Sequence, residues 1–204
     1  MATILKQKMK TVFMPTALAL LISACASENL VTQSIKNEAY ASSEFYINKA
    51  DSVKDEEDKI TYHLLAVRKL IEENKAEEAQ NTFDELTNAP KLMEALQKNE
   101  VQKTEYALVS AQLYAARGNN EQAQTLLRNL PLAQLSQVQM LRFYQTQASI
   151  AENQRDPVEI VRARSMMNNY LTDNKARQEN NDTIWSTLRK GNRATIEQAS
   201  IKAG

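Results

Sequence analysis

Glycine, proline, cysteine and histidine are scarce: the 204 residues hold three, four, one and one of them. Sandwiches and barrels consume turn residues at every reversal, so three glycines and four prolines point away from β architecture and toward helices joined by short connections. A single cysteine cannot close an intrachain disulfide. With His63 the only imidazole, histidine-based metal sites and nucleophilic triads lack partners, and no two glycines lie close enough for a phosphate-cradling loop. Charge of one sign is missing too. Twenty-five Lys and Arg balance 25 Asp and Glu with no basic block, which argues against a nucleic-acid surface.

What the chain does have is an export-like beginning. Lys6, Lys8 and Lys10 precede an apolar run from Val12 to Ile22, broken by Pro15, and Ile22-Ser23-Ala24-Cys25 follows. The run is too short to span a bilayer comfortably. Its ending resembles a lipobox, which makes residues 1–24 a lipoprotein signal peptide and Cys25 the lipidation site; the alternative is an ordinary signal peptide followed by an incidental cysteine. Lipidation gives the lone thiol a use, since two or more acyl chains, each methylene contributing about 0.8 kcal/mol, anchor a protein stably. Ala26 follows the cysteine where an aspartate would resemble inner-membrane retention, so the pattern of lipoprotein sorting points to the periplasmic face of the outer membrane. Removal of residues 1–24 would leave 22 basic against 25 acidic residues. Residues 25–38 read as a lipidated N-terminus and polar tether, whose last thirteen residues reach roughly 45 Å at most.

Leu, Ala, Glu, Gln, Lys and Arg dominate the rest, and these favour helix. Ile60, Leu64, Val67 and Ile71 fall at helical spacing, as do Tyr106, Val109 and Leu113. The spacing predicts helices near 39–50, 56–73, 75–88, 92–117, 120–129, 136–153, 157–171 and 174–190, with 192–204 left as a linker or truncated tail. Capping patterns mark starts at Asn74 with Glu77, Asn119 with Gln122, Ser136 with Gln139 and Asp156 with Glu159, the last strengthened by Pro157. Pro90 and Pro131 separate helices, and Gly118 and Gly191 suit left-handed helix ends.

Three segments share a layout. Leu70-Ile71, Asn74, Ala79, Phe83 and Leu86 are matched by Leu113-Tyr114, Gly118, Ala123, Leu127 and Leu130-Pro131, then by Ile150-Ala151, Arg155, Ile160, Arg164 and Met167. Each has an apolar helix end, a tight turn and a second apolar face, as in tetratricopeptide repeats. Ile160 and Arg164 depart from that pattern, and the turns are spaced 44 and then 37 residues apart. Residues 39–191 therefore read as an all-α, tetratricopeptide-like solenoid of antiparallel helix pairs, with an irregular helical bundle as the competing arrangement.

Chemistry is not evident. Asp55-Glu56-Glu57-Asp58, Glu72-Glu73 and Glu77-Glu78 are adjacent acids that diverge around a helix and read as solvated faces. Phe83, Tyr106, Tyr114, Phe143, Tyr144, Tyr170 and Trp185 recur at helical spacing and read as core, Trp185 closing the last repeat against Tyr170 and Leu171. No catalytic, metal-binding or cofactor-binding residue is expected, and no enzyme.

The order of lipobox, tether, Ala41-Ser42-Ser43-Glu44-Phe45-Tyr46-Ile47-Asn48-Lys49, Tyr62-His63-Leu64-Leu65-Ala66-Val67-Arg68-Lys69-Leu70-Ile71 and Asn180-Asn181-Asp182-Thr183-Ile184-Trp185-Ser186-Thr187-Leu188 resembles the N-terminal, tetratricopeptide-like domain of the LpoA family of lipoprotein activators. That resemblance implies an outer-membrane lipoprotein that stimulates peptidoglycan synthesis by a class A penicillin-binding protein. It also implies a second, periplasmic-binding-protein-like domain that contacts the synthase, so this chain is expected to be part of a longer protein. The alternative function is a free-standing tetratricopeptide-like lipoprotein that binds another envelope-assembly protein.

Overall fold

The computed structural model describes residues 41–191 and 193–203, and among them there is helix and no strand. In chain order the helices are α1 (Ser43–Ser52), α2 (Glu56–Glu72), α3 (Ala76–Thr87), α4 (Pro90–Lys98), α5 (Glu100–Ala116), α6 (Asn120–Arg128), α7 (Gln137–Gln154), α8 (Pro157–Met167), α9 (Asn174–Lys190) and α10 (Arg193–Ala203). A single 3-10 turn, Leu132–Gln134, lies between α6 and α7. The all-helical expectation holds, and several helix boundaries move.

The predicted helix 92–117 is two helices that part at Asn99. Its Oδ1 accepts from the N–H of Val101 and of Gln102, so the side chain takes over donors that a continuous helix would send backward. Pro90 is the first residue of α4 rather than a spacer before it, where its missing N–H costs nothing. The predicted 157–171 ends at Met167, and 193–203, read as linker or tail, forms α10 against α8.

Two of the expected caps hold and two do not. Ser136 and Gln139 form a reciprocal capping box, and Asp156 accepts from Val158 and Glu159 behind Pro157. Asn74 and Asn119 do not cap with their side chains. Asn74 instead adopts φ 60°, joined by Gly118 at 77° and Arg155 at 56°. Each left-handed residue ends a helix in the same way. Lys75 N donates to Leu70 O and Asn74 N to Ile71 O; Asn119 N donates to Tyr114 O and Gly118 N to Ala115 O; Asp156 N donates to Ala151 O and Arg155 N to Glu152 O. Gly191 ends α9 with an extended backbone, φ −77° and ψ 158°, so its left-handed expectation fails.

These three turns make the hairpins α2/α3, α5/α6 and α7/α8. The first helices stand side by side, α2 on α5 and α5 on α7, as a solenoid requires. The interval of 44 between Asn74 and Gly118 has a physical source in α4, a nine-residue helix packed on α2, α3 and α5 that the second repeat replaces with the short 3-10 turn.

Helix α5 is apolar on both flanks because it belongs to two cores. Val109 and Leu113 join Ile60, Leu64, Val67, Leu70, Ala79, Phe83 and Leu86 on one side. Leu108, Ala111 and Ala115 join Ala123, Leu127, Phe143, Tyr144, Ile150 and Met167 on the other. Each buried Leu, Ile or Phe contributes about 1.5–3 kcal/mol over its exposed state. Ala79 and Ala123 are fully buried at the same place in the first two repeats, where a small side chain lets the hairpin close.

Candidate interaction surface

The first turns of α5 and α7 repeat one another at 37 residues. Asn99 and Ser136 cap them, Val101 and Val138 follow by two, Gln102 and Gln139 by three, and Glu105 and Arg142 by six. The structure joins the last pair directly. Arg142 Nη1 donates to Glu105 Oε1 at 2.5 Å, while its Nε and Nη2 donate to Gln112 Oε1 at 3.3 and 2.7 Å. Gln139 Nε2 reaches Glu105 Oε2 at 3.2 Å, and the Arg68 guanidinium on α2 stands 3.8 Å from Glu105. Burial holds the Arg142 guanidinium down to about 10, against the attraction of Glu105.

This polar seam crosses all three first helices beneath a groove of about 440 Å³. Leu65, Arg68, Val101, Gln102, Glu105, Val138, Gln139 and Arg142 are among the residues that line it. Gln102, itself buried, donates from Nε2 to Glu57 O at 2.7 Å and to Thr61 Oγ1 at 3.1 Å, and its buried Oε1 has no partner. A second groove, about 470 Å³, has Leu127, Leu130, Phe143 and Ile150 at its floor and Arg162, paired at 2.6 Å with Glu159, on its rim.

Neither the seam nor the exposed valines were anticipated from sequence. Arg142, a charge set between Leu141 and Phe143 on an otherwise core-facing stretch, was the available signal; the matching Asn99-x-Val101-Gln102 and Ser136-x-Val138-Gln139 was another. The residues that were singled out fall elsewhere. Cys25, the signal peptide and the tether lie outside the described residues. His63 is half-buried on α2, and its Nδ1 is buried without a hydrogen-bond partner. Burial lowers its pKa, opposed by Glu85 and Asp51 and aided by Lys59.

The aromatic expectation divides. Phe83 and Phe143 are buried, Phe83 stacks on Tyr106 with centroids 5.1 Å apart, and Tyr144 stacks on Tyr170 at 5.7 Å. Trp185, expected to close the last repeat, is 62% exposed. Only Asn180 of α9 is buried, so polar contacts rather than an apolar stripe seat that helix.

At the start of the described residues, the Ser43 hydroxyl donates to Glu73 Oε2 at 2.8 Å and the Ser43 N–H to Oε1 at 3.2 Å, clipping the start of α1 to the first hairpin. The Lys75 ammonium and these two Ser43 donors hold the Glu73 carboxyl down to about 2. Among the described residues no group of three or more His, Cys, Asp and Glu side chains gathers in a metal-holding arrangement.

The chain is similar to known proteins. The penicillin-binding protein activator LpoA of Haemophilus ducreyi is 58% identical over 208 residues, covering 100% of this chain and 35% of that protein. The solved N-terminal domain of LpoA from Haemophilus influenzae is 43% identical with a TM-score of 0.65, over 78% of this chain and 68% of that one. A crystal structure of full-length LpoA from the same organism is 42% identical with a TM-score of 0.68, over 82% and 29%. The chain thus spans about a third of the length of the curated relatives it matches, and its likeness is to their N-terminal, helical domain. The family described as LppC putative lipoprotein matches residues 36–204, and the chain belongs to that family.

Proposed function

We propose that this chain is the membrane-proximal, non-catalytic part of a lipoprotein that stimulates peptidoglycan synthesis by a class A penicillin-binding protein. Acyl chains on Cys25 hold one end at the periplasmic face of the outer membrane, and the helical stack carries an activating domain inward. The relatives' name, penicillin-binding protein activator, supports the partner. The observation that supports a scaffold is the bonding of Arg142 to Glu105 and Gln112 across the repeat boundary. A side chain fixed at three points between successive first helices resists hinge motion there, and a stiff rod delivers its end to a defined height where a flexible chain would spread it over a large volume.

Two variants of the full-length protein test this. Cys25→Ala is expected to release it into the soluble periplasmic fraction; retention in the outer membrane defeats the anchor. Replacement of residues 42–203 by a Gly/Ser linker of equal reach is expected to lower synthase stimulation in cells while leaving it intact with purified, untethered components. Equal stimulation in cells would defeat the scaffold. The second reading, a module that itself holds a protein segment, draws on the groove between the first helices.

A further inference from the structure

We propose that the groove between α6, α7 and α8 binds a small amphiphile, a single alkyl chain that ends in a carboxylate. The inference goes beyond the scaffold reading and does not depend on it.

The groove exists because a junction that is filled between the first two hairpins is left open between the second and third. Equivalent positions run from Ala79 to Ala123 on the second helices and from Tyr106 to Phe143 on the first. At the first junction Phe83 stacks on Tyr106 with centroids 5.1 Å apart, and Arg117 Nη1 donates to Gln80 Oε1 at 2.6 Å. At the second, Leu127 stands in the place of Phe83, Gln154 in that of Arg117 and Ala151 in that of Tyr114. A ring has become a branched chain and a phenol a methyl group. The contact from Gln124 Nε2 to Gln154 Oε1 is stretched to 3.5 Å. Interiors close over most lost volume, yet α6 and α8 both rest on α7 and about 470 Å³ stays open among the three.

The floor is apolar. Leu127, Leu130, Phe143 and Ile150 belong to the buried core and also line the groove, with Leu132, 44% exposed, at its edge. An alkyl chain laid on such a floor gains about fourfold in affinity for each methylene removed from water.

The rim selects the head group. Arg162 is committed, donating from Nε to Glu159 Oε2 at 2.6 Å and from Nη2 to Gln147 Oε1 at 3.1 Å. Arg128 is not. Among the described residues no carboxylate pairs with it, and its Nη2 reaches only Thr125 Oγ1, at 3.4 Å. Two guanidinium groups against the one Glu159 carboxylate leave a single positive charge in excess. A monoanion balances that excess, and a guanidinium fork can hold a carboxylate at two points. The volume of about 470 Å³ lies in the range of small-molecule sites.

Isothermal titration calorimetry of residues 26–204, which retain every described helix, tests this with hexanoate, octanoate and decanoate. Kd should fall about fourfold for each added methylene, and decanol and decyltrimethylammonium should bind about tenfold or more weaker than decanoate. Leu127→Phe/Ala151→Tyr, which restores the side chains of the first junction, should abolish decanoate binding. Arg128→Gln should weaken it about tenfold, while Val101→Ser/Val138→Ser, on the other groove, should leave it unchanged. Thermal melting checks each fold; should the filling variant unfold, Leu132→Ser, at an exposed position, takes its place and should raise Kd about fivefold. The proposal is overturned if decanoate shows no saturable binding, or if decanol or the ammonium binds as tightly. It is equally overturned if decanoate binding is untouched by groove filling or by Arg128→Gln, or is lost with the two valines.

Discussion

Arg142 and Glu105 occupy the same position in successive repeats, six residues beyond their caps, and lie 2.5 Å apart. A pair so placed ties the register of one first helix to the next. Because Arg142 is buried, Glu105→Gln should strand a cation and destabilise the chain by about 3 kcal/mol in urea unfolding. Arg142→Met/Glu105→Leu should recover much of that loss, since an apolar pair of similar volume has no ions to desolvate. Additive losses would show that the two side chains act separately.

The three left-handed turns differ in how well their residues suit them. An added Cβ at Gly118 would meet nothing within 4 Å, so Gly118→Ala should cost only the backbone term, about 1 kcal/mol. Arg155 holds φ 56° with a side chain in place, and Arg155→Gly should stabilise by about 0.5 kcal/mol, read as a rise in Tm. A fall in Tm would mean that the Arg155 side chain contributes more than its backbone strain removes.

Local signals carried much of this fold. The apolar spacing placed Ile60, Leu64, Val67, Val109 and Leu113 in the core, and the positions read as tight turns are the three with positive φ. The break at Asn99 was not legible because the apolar spacing runs through it. Its neighbour Gln102 finishes the junction by bonding to Glu57 and Thr61, over forty residues away. The groove was hidden for the same reason: Arg68, Glu105 and Arg142 become one cluster only after three helices align. Trp185 departs from its expected core position because an apolar side chain is not thereby a buried one.

His63 allows a clean test of burial, as the only histidine in the chain. Its folded pKa lies below the ordinary 6.5 because burial penalises the imidazolium, and the neutral form is the one that packs. Stability linked to it is therefore present above pH 6.5 and is lost as pH falls through the folded value. NMR titration of the single imidazole should give a midpoint below 6.5, and His63→Gln should flatten the loss of stability between pH 7 and 5. A midpoint above 6.5 would show that Glu85 and Asp51 outweigh burial.

Trp185 and Asn180 lie on one helix and should behave in opposite ways. Asn180 is buried and bonded on every side: Arg164 Nη1 donates to its Oδ1 at 3.1 Å, and its Nδ2 donates to Arg164 O at 2.8 Å and to Asn168 Oδ1 at 2.9 Å. Removing that side chain leaves buried groups without partners, so Asn180→Ala should cost about 2 kcal/mol or more. Trp185 faces outward, and Trp185→Ala should change stability by less than about 0.5 kcal/mol. As the only tryptophan, it reports its own surroundings. Native emission should resemble that of the urea-unfolded chain, with acrylamide quenching nearly as strong; a blue-shifted, protected signal would place Trp185 in a packed interface and reverse the order of the two substitutions.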